Sequence, residues 1–393
     1  MANTRPLRAW KAEEVVTGLD DEPRTYHLLD DSDYLETGTH IVFTRDGSLV
    51  FIQTIISSVG MYSKQPGLNV KVIPSPALAA AGVTETLQWA TKFSTKDIVL
   101  SDEGKSIAIA DNSFQFQPGT GEDPDSYVLS LPATGIGAFE LTFVADGPSF
   151  MVSDGKVFFG AQPDSPLGAD DHENLSYCRN VFPMARALTS GSFVPKKSGI
   201  PIPLEGRGFV SKLLQNVKGH KIANTWSLNK FDSDEATSIY VSFHTPAAYG
   251  STWISLQALI VDSQLVAITT DEGNSCQVSD ETPDPTTGYA LPKATTLSFS
   301  GLTLGPEIQT VFPPNAPINC ELIVEHESWI DRHDILSSIP WLLRMVVKTF
   351  IASPWSYRFY NPGSLTVQVG DEDDHRRAFG GMALREFIFL NKT

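Results

Sequence analysis

Residues 208–251 read GFVSKLLQNVKGHKIANTWSLNKFDSDEATSIYVSFHTPAAYGS. Near the end of this stretch Ile239, Val241 and Phe243 alternate with Tyr240, Ser242 and His244. A period of two predicts a strand with one apolar face and one face of polar rings. Upstream, Phe209, Val210, Leu213, Leu214 and Val217 recur at helical spacing, with Lys212 and Gln215 opposite, which predicts a short amphipathic helix. A loop carrying His220 and Trp226 lies between the two. The stretch supplies no nucleophile, metal cage or phosphate cradle. It reads as the seam of a two-domain β-protein that holds something apolar.

The strand signature recurs outward from this seam. Leu49–Ile56 (LVFIQTII) is a continuous run rich in β-branched residues, Phe139, Leu141 and Phe143 alternate with Glu140 and Thr142, and Leu365, Val367 and Val369 alternate with Thr366 and Gln368. Residues 254–270 predict two strands turning at Asp262-Ser263. Turn signals fall at Asp46-Gly47, Asp102–Gly104, Asp154-Gly155 and 117–125. Helical spacing appears again from Ile335 to Phe350, broken at Pro340, and more weakly over Val83–Phe93. A Pro-, Gly- and Lys-rich stretch, 192–208, predicts a linker. The economical architecture is mostly β: two antiparallel barrel-like domains, 1–205 and 206–393, with a few short helices.

The chain has 393 residues, enough for two cores, and a formal net charge of −17, which repels a phosphate backbone and argues against nucleic acid. Its three cysteines, Cys178, Cys276 and Cys320, form no CxxC pair, consistent with a reducing, cytoplasmic setting. No apolar run reaches the ~18 residues of a membrane span. The sequons at Asn174 and Asn391 therefore read as chance matches.

Known chemistries find no purchase. His326 and His333 lack zinc-ligand spacing, and Asp371–Asp374 with His375 lacks the calcium-loop pattern, so no metal is expected; Asp30, Asp31 and Asp33 read as a solvated loop. There is no GxSxG, and Gly135-Ile136-Gly137 precedes a strand instead of a helix, against a nucleotide cofactor. What remains is a set of rings and cations in the second half. Tyr240 and His244 share a strand face, Arg358 and Tyr360 alternate with Tyr357 and Phe359, and Trp341 lies three residues from Arg344. With Trp226 and Trp355 these would line an apolar pocket with a few hydrogen-bond donors.

Ordered motifs over nearly the whole chain carry a resemblance. They are SLVFIQTIISSVG from Ser48, KSIAIADNSFQF ending at Phe116, VSDGKVFFG ending at Gly160, DSPLG from Asp164, the segment with His220 and Trp226, SFHTPAAYGST from Ser242, and SSIPWLLRMVVKTF ending at Phe350. In these the chain resembles the fungal survival-factor (Svf-type) family. The resemblance implies two lipocalin-like β-barrels. It implies one of two functions: ceramide-like lipid binding and transfer, or the cofactor-independent hetero-Diels–Alder reaction of the relatives that join a tropolone quinone methide to a humulene-type sesquiterpene. The trafficking members carry an N-terminal amphipathic helix; here a mixed-charge segment around Trp10 replaces it, leaving at most weak membrane association. Their Trp-Pro-Arg appears as Phe182-Pro183-Met184. These departures imply a retuned pocket, and the pericyclase is the leading expectation. Arg358, Tyr360, His244 and Tyr240 are the expected donors to the heterodiene oxygen. Trp226, Trp341, Arg344, Trp355 and Tyr357 are the expected binding wall for a terpene- and polyketide-derived substrate.

Overall fold

The computed structural model describes residues 5–19, 22–28, 33–58, 64–120, 123–162, 167, 174–327, 329–335, 354–370 and 375–391. The Ile335–Phe350 helix, Trp341, Arg344, Asp30, Asp31 and the acidic run 371–374 lie wholly or largely outside these residues. Two compact units form, one from Val16–Lys156 and Ser176–Val217, the other from Met1–Val15, Val157–Leu175 and Lys218–Thr393.

In the first unit the main sheet runs, strand by hydrogen-bonded strand, Leu87–Lys92, Gln65–Ile73, Leu49–Ser57, Leu35–Thr44, Gly206–Gln215, Ser176–Pro195, Gly137–Ala145, Ser126–Leu131, Asn112–Gln117, Ser106–Ile109 and Ile98–Ser101. Two expectations are corrected here. The helix over 209–217 is instead the strand Gly206–Gln215, paired with Leu35–Thr44 on one side and Ser176–Pro195 on the other. It is central and buried on both faces, so its apolar residues lose the period of two and mimic helical spacing. Gly208 fits only without a side chain, since a Cβ there would lie 2.5 Å from the Phe143 ring. The linker 192–208 is a hairpin within the same sheet, Ser192 opposite Pro203 and Phe193 opposite Ile202. Residues 206–217 thus belong with the first unit, not with the residues that follow them.

The weaker helix over Val83–Phe93 is also a strand, Leu87–Lys92, whose residues alternate between half-buried and exposed. The described α-helices are short: Pro76–Ala80, capped by the Ser75 hydroxyl, and Gly219–Ile222. No described helix is long and apolar enough to cross a membrane.

In the second unit the order is Gln264–Thr270, Trp253–Val261, Ala236–His244, Thr225–Asp232, Arg376–Phe389, Trp355–Val369, Pro317–Glu325, Ala294–Leu302 and Asn274–Ser279, with Trp329–Asp334 added to Trp355–Val369. The turn expected at Asp262-Ser263 is present. Both residues have positive φ, 48° and 62°, the backbone of a two-residue hairpin turn that follows strand twist. Residues from strands at both ends of the order, among them Leu259, Ala267, Leu297, Phe299, Leu322 and Leu365, meet in one buried cluster. The sheet therefore curls on itself with a distinct inside, and the strand Pro317–Glu325 alternates strictly between buried and exposed along it.

Candidate functional site

Directly opposed residues of an antiparallel sheet point to the same side, so register assigns the faces of the second unit. One inward row runs Phe359, Arg385, Asn229, Tyr240, Gln257. The next runs Tyr357, Phe387, Ser227, Ser242, Ser255, and the outermost runs Trp355, Phe389, Thr225, His244, Trp253. Four residues singled out from the sequence, Tyr240, His244, Trp355 and Tyr357, therefore share the inner face.

Three others do not join them. Trp226 opposes Phe243 and Ile388 on the other face and stacks on Phe243 at 5.1 Å. Arg358 and Tyr360 also point outward. The Arg358 guanidinium is held by two carboxylates, Glu386 at 2.8 Å and Asp331 at 3.1 Å. Their hydrogen bonds occupy the donors that a ligand oxygen would need.

The rim of the inner face is aromatic and braced. The Tyr289 ring stacks on Phe389 at 4.3 Å. Tyr357 donates its hydroxyl proton to buried Asp284 and sits 2.6 Å from the Thr287 hydroxyl. Asp284 also accepts from the Thr286 backbone, the Thr287 hydroxyl and Arg332, whose guanidinium lies 5.7 Å from the Trp355 ring. Burial alone would raise the Asp284 pKa, but these hydrogen bonds outweigh it and hold the carboxyl at about 2. Burial, then Asp284, pushes the Tyr357 phenol well above its ordinary value, so it stays a neutral donor. His244 anchors its own loop, its Nε2 3.0 Å from the Ser251 carbonyl and its ring stacked on Trp253 at 4.9 Å.

Behind the rim the interior turns polar without being satisfied. Arg385 is 1% exposed. Its Nη2 reaches the Cys276 sulfur at 3.2 Å, and its guanidinium lies 4.5 Å from the Phe387 ring and 5.5 Å from Tyr240. Its Nε and Nη1 find no partner, and neither do the two amide atoms of Asn229 or Oε1 of Gln257. A buried polar atom left unpaired costs about 1–3 kcal/mol, and more when charged, so these atoms call for water or for a ligand's polar groups. Burial and then the Arg385 charge hold His326 down at about 4, so it is a neutral ring, with Nε2 2.8 Å from the Thr295 hydroxyl. Burial, then Cys276, pushes Tyr240 up to about 12. The ensemble is one fixed cation and several neutral donors and acceptors behind an aromatic wall. It can polarise an oxygen on an otherwise apolar molecule.

Arg385, Asn229, Gln257 and Asp284 were not singled out from the sequence. In 383–389, ALREFIF, Arg385 shares a phase with Ala383, Phe387 and Phe389 while Glu386 shares the other with Leu384 and Ile388, so periodicity alone does not say which charge faces inward.

The model of the Svf1 family matches residues 5–391. The Ceramide-binding protein svf1 of Emericella nidulans is 24% identical over 344 residues, 86% of this chain and 82% of that protein. Its counterpart in Neurospora crassa is 23% identical over 350 residues, 87% of this chain and 83% of that protein. Among solved structures, an AttH-type protein of Nitrosomonas europaea superposes with a TM-score of 0.57 at 12% identity, covering 95% of this chain and 97% of that one. CghA crystallised with Sch210972 gives 0.56 at 10% identity over 96% and 98%, and kievitone hydratase from Nectria haematococca 0.51 at 10% over 98% and 99%. At such identities the solved structures speak to the fold alone, and they agree with the two barrel-like sheets read from the strands. The match over residues 5–391 goes further: this chain is a member of the Svf1 family.

Proposed function

We propose that this protein is a cofactor-independent pericyclase of fungal natural-product biosynthesis, acting in the cytoplasm on a tropolonic quinone-methide heterodiene and an apolar terpene alkene. The observation that carries the reading is the buried Arg385, its Nε and Nη1 without partners, set behind the rim of Trp355, Tyr357, Tyr289 and Phe389. In a hetero-Diels–Alder reaction the two π bonds of the C=C–C=O unit and one of the alkene become a C–C bond, a C–O bond and one new π bond. No atom or electron leaves, so no nucleophile, redox centre or metal is required. Two things lower the barrier. Holding both partners in a reactive pose removes the entropic cost of encounter. A donor on the heterodiene oxygen stabilises the charge that gathers there as the bonds form asynchronously, and one such donor in a dry site contributes about 3 kcal/mol. The donor role expected of Arg358 passes, in this reading, to Arg385, with Asn229 and Tyr240 beside it. The aromatic rim takes the terpene and keeps water from the quinone methide.

The test is product stereochemistry and rate. Purified protein is incubated with a quinone-methide precursor and a humulene-type alkene, and the products are compared with the spontaneous mixture. Unchanged ratios would sink the proposal.

A second reading is favoured by the name of the curated relatives, ceramide-binding proteins. The same polar row would then receive the amide and hydroxyl groups of a ceramide-like lipid, and the protein would carry it without changing it. Native mass spectrometry of the purified protein distinguishes the two: a co-purifying ceramide together with unaltered cycloaddition ratios supports the carrier.

A further inference from the structure

A second concave site lies in the first unit, on residues that the proposed reaction does not use. Three connections meet there: the segment after the short helix Pro76–Ala80, the turn before the strand Gly137–Ala145, and the turn after the strand Ser176–Pro195. They enclose a cleft of about 310 Å³. Ligand pockets run from about 300 to 1,000 Å³, so this one suits a small ligand.

Its walls divide by chemistry. Val83 and Pro195 are buried and Leu87 and Ile136 half-buried, making an aliphatic floor. Lys196, Lys197, Thr84 and Glu85 are exposed along the edge. Neither lysine forms an ion pair among the described residues, in a chain whose formal net charge is −17. The shape is built in. The Lys196 backbone N–H donates to the Ile136 carbonyl at 2.9 Å, tying two of the three connections together. Gly135 packs its backbone on the Trp89 indole, where a Cβ would sit 2.2 Å from that ring.

From this division we infer that the cleft binds an amphipathic carboxylate, a medium-chain fatty-acid anion, with the chain on Val83, Leu87, Ile136 and Pro195 and the carboxylate against Lys196 and Lys197. An aliphatic tail gains about 0.8 kcal/mol for each methylene buried, which an aliphatic floor supplies and a bare lysine pair does not. The lysines add charge-assisted hydrogen bonds and selectivity for the anion over the alcohol. Glu85 on the same edge disfavours a head group lying on its side, which orients the ligand.

The experiment is titration calorimetry with decanoate and with 1-decanol, on the full chain. Decanoate is expected to bind the wild type, more weakly as salt rises. The exposed double substitution Lys196→Gln/Lys197→Gln should weaken decanoate at least tenfold and leave decanol unchanged, with an unaltered melting temperature. Ile136→Asp should weaken both. An Arg385→Gln variant should bind decanoate as the wild type does, which separates this cleft from the site in the other unit. The inference is overturned if decanoate does not bind, if the lysine pair can be neutralised without effect, or if binding is lost on Arg385→Gln.

Discussion

Arg385 sets a stability cost against a use. A guanidinium cannot shed its proton to escape burial, and Nε and Nη1 stay unpaired. Arg385→Met keeps the shape and removes the charge. It is expected to stabilise the fold, by about 1–4 kcal/mol if it follows buried charges replaced by apolar groups, and to abolish control over the cycloaddition. Chemical denaturation and product ratios check the two halves separately; a variant that is both less stable and fully selective would contradict the assignment. Arg358→Met should do the reverse, stranding Glu386 and Asp331 and destabilising the sheet while leaving selectivity in place.

His40 makes a prediction of a different kind. It is buried in the first unit among Phe114, Tyr127 and Phe143, with both ring nitrogens unpartnered. Burial, then the Lys212 charge, lowers its pKa to about 3. The unfolded chain holds the proton near an ordinary value of about 6.5, so between those values the unfolded state binds more protons. Stability from this residue therefore falls as pH drops through that window, by up to ~1.4 kcal/mol per pH unit, and is flat above it. His40→Phe should remove that slope, read as the difference between the two denaturation midpoints from pH 7 to pH 4. Parallel curves would mean that the imidazole has a partner.

At the scale of elements, Gly206–Gln215 is the most exacting strand. Gly208→Val drives a side chain into the Phe143 ring and Thr189, an overpacking expected to cost roughly 1–3 kcal/mol in urea denaturation. Asp284→Asn weakens the brace on Tyr357 and Arg332 and should raise the substrate KM more than it lowers kcat, because the rim binds and the buried row reacts. These elements also show what a linear reading reaches. A strand with one wetter face, such as Gly137–Ala145, announces itself by alternation, and Asp262-Ser263 by its turn chemistry. Gly206–Gln215 does not, because a strand buried on both sides carries no period of two. The aromatic phase of 355–360 was legible, but not which phase faces inward. That depends on the partner strand, where Arg385 looks like any solvent-facing arginine until Asn229 and Phe359 are seen beside it.

Across the whole molecule, the strand after residue 205 completes the first sheet. A fragment ending at residue 205 leaves the facing edges of Leu35–Thr44 and Ser176–Pro195 unpaired, whereas one ending at residue 217 retains the strand between them. The shorter fragment is expected to aggregate and the longer to give a β-rich circular dichroism spectrum in solution.

The path of the chain through the second unit has a further consequence. Leu7 and Arg8 pair with Phe159 and Phe158, the Arg5 amide donates to the Ala248 carbonyl, and the buried Trp10 ring meets Phe243 edge-on at 6.0 Å. On the ribosome residues 5–10 emerge before Phe158 and Phe159, and long before Phe243 and Ala248. The first unit can collapse while Trp10 still waits, an unshielded indole on a growing polypeptide, and the second closes only as translation nears its end. A nascent copy thus leaves the Trp10 indole open to chaperones and proteases until Phe243 follows it out.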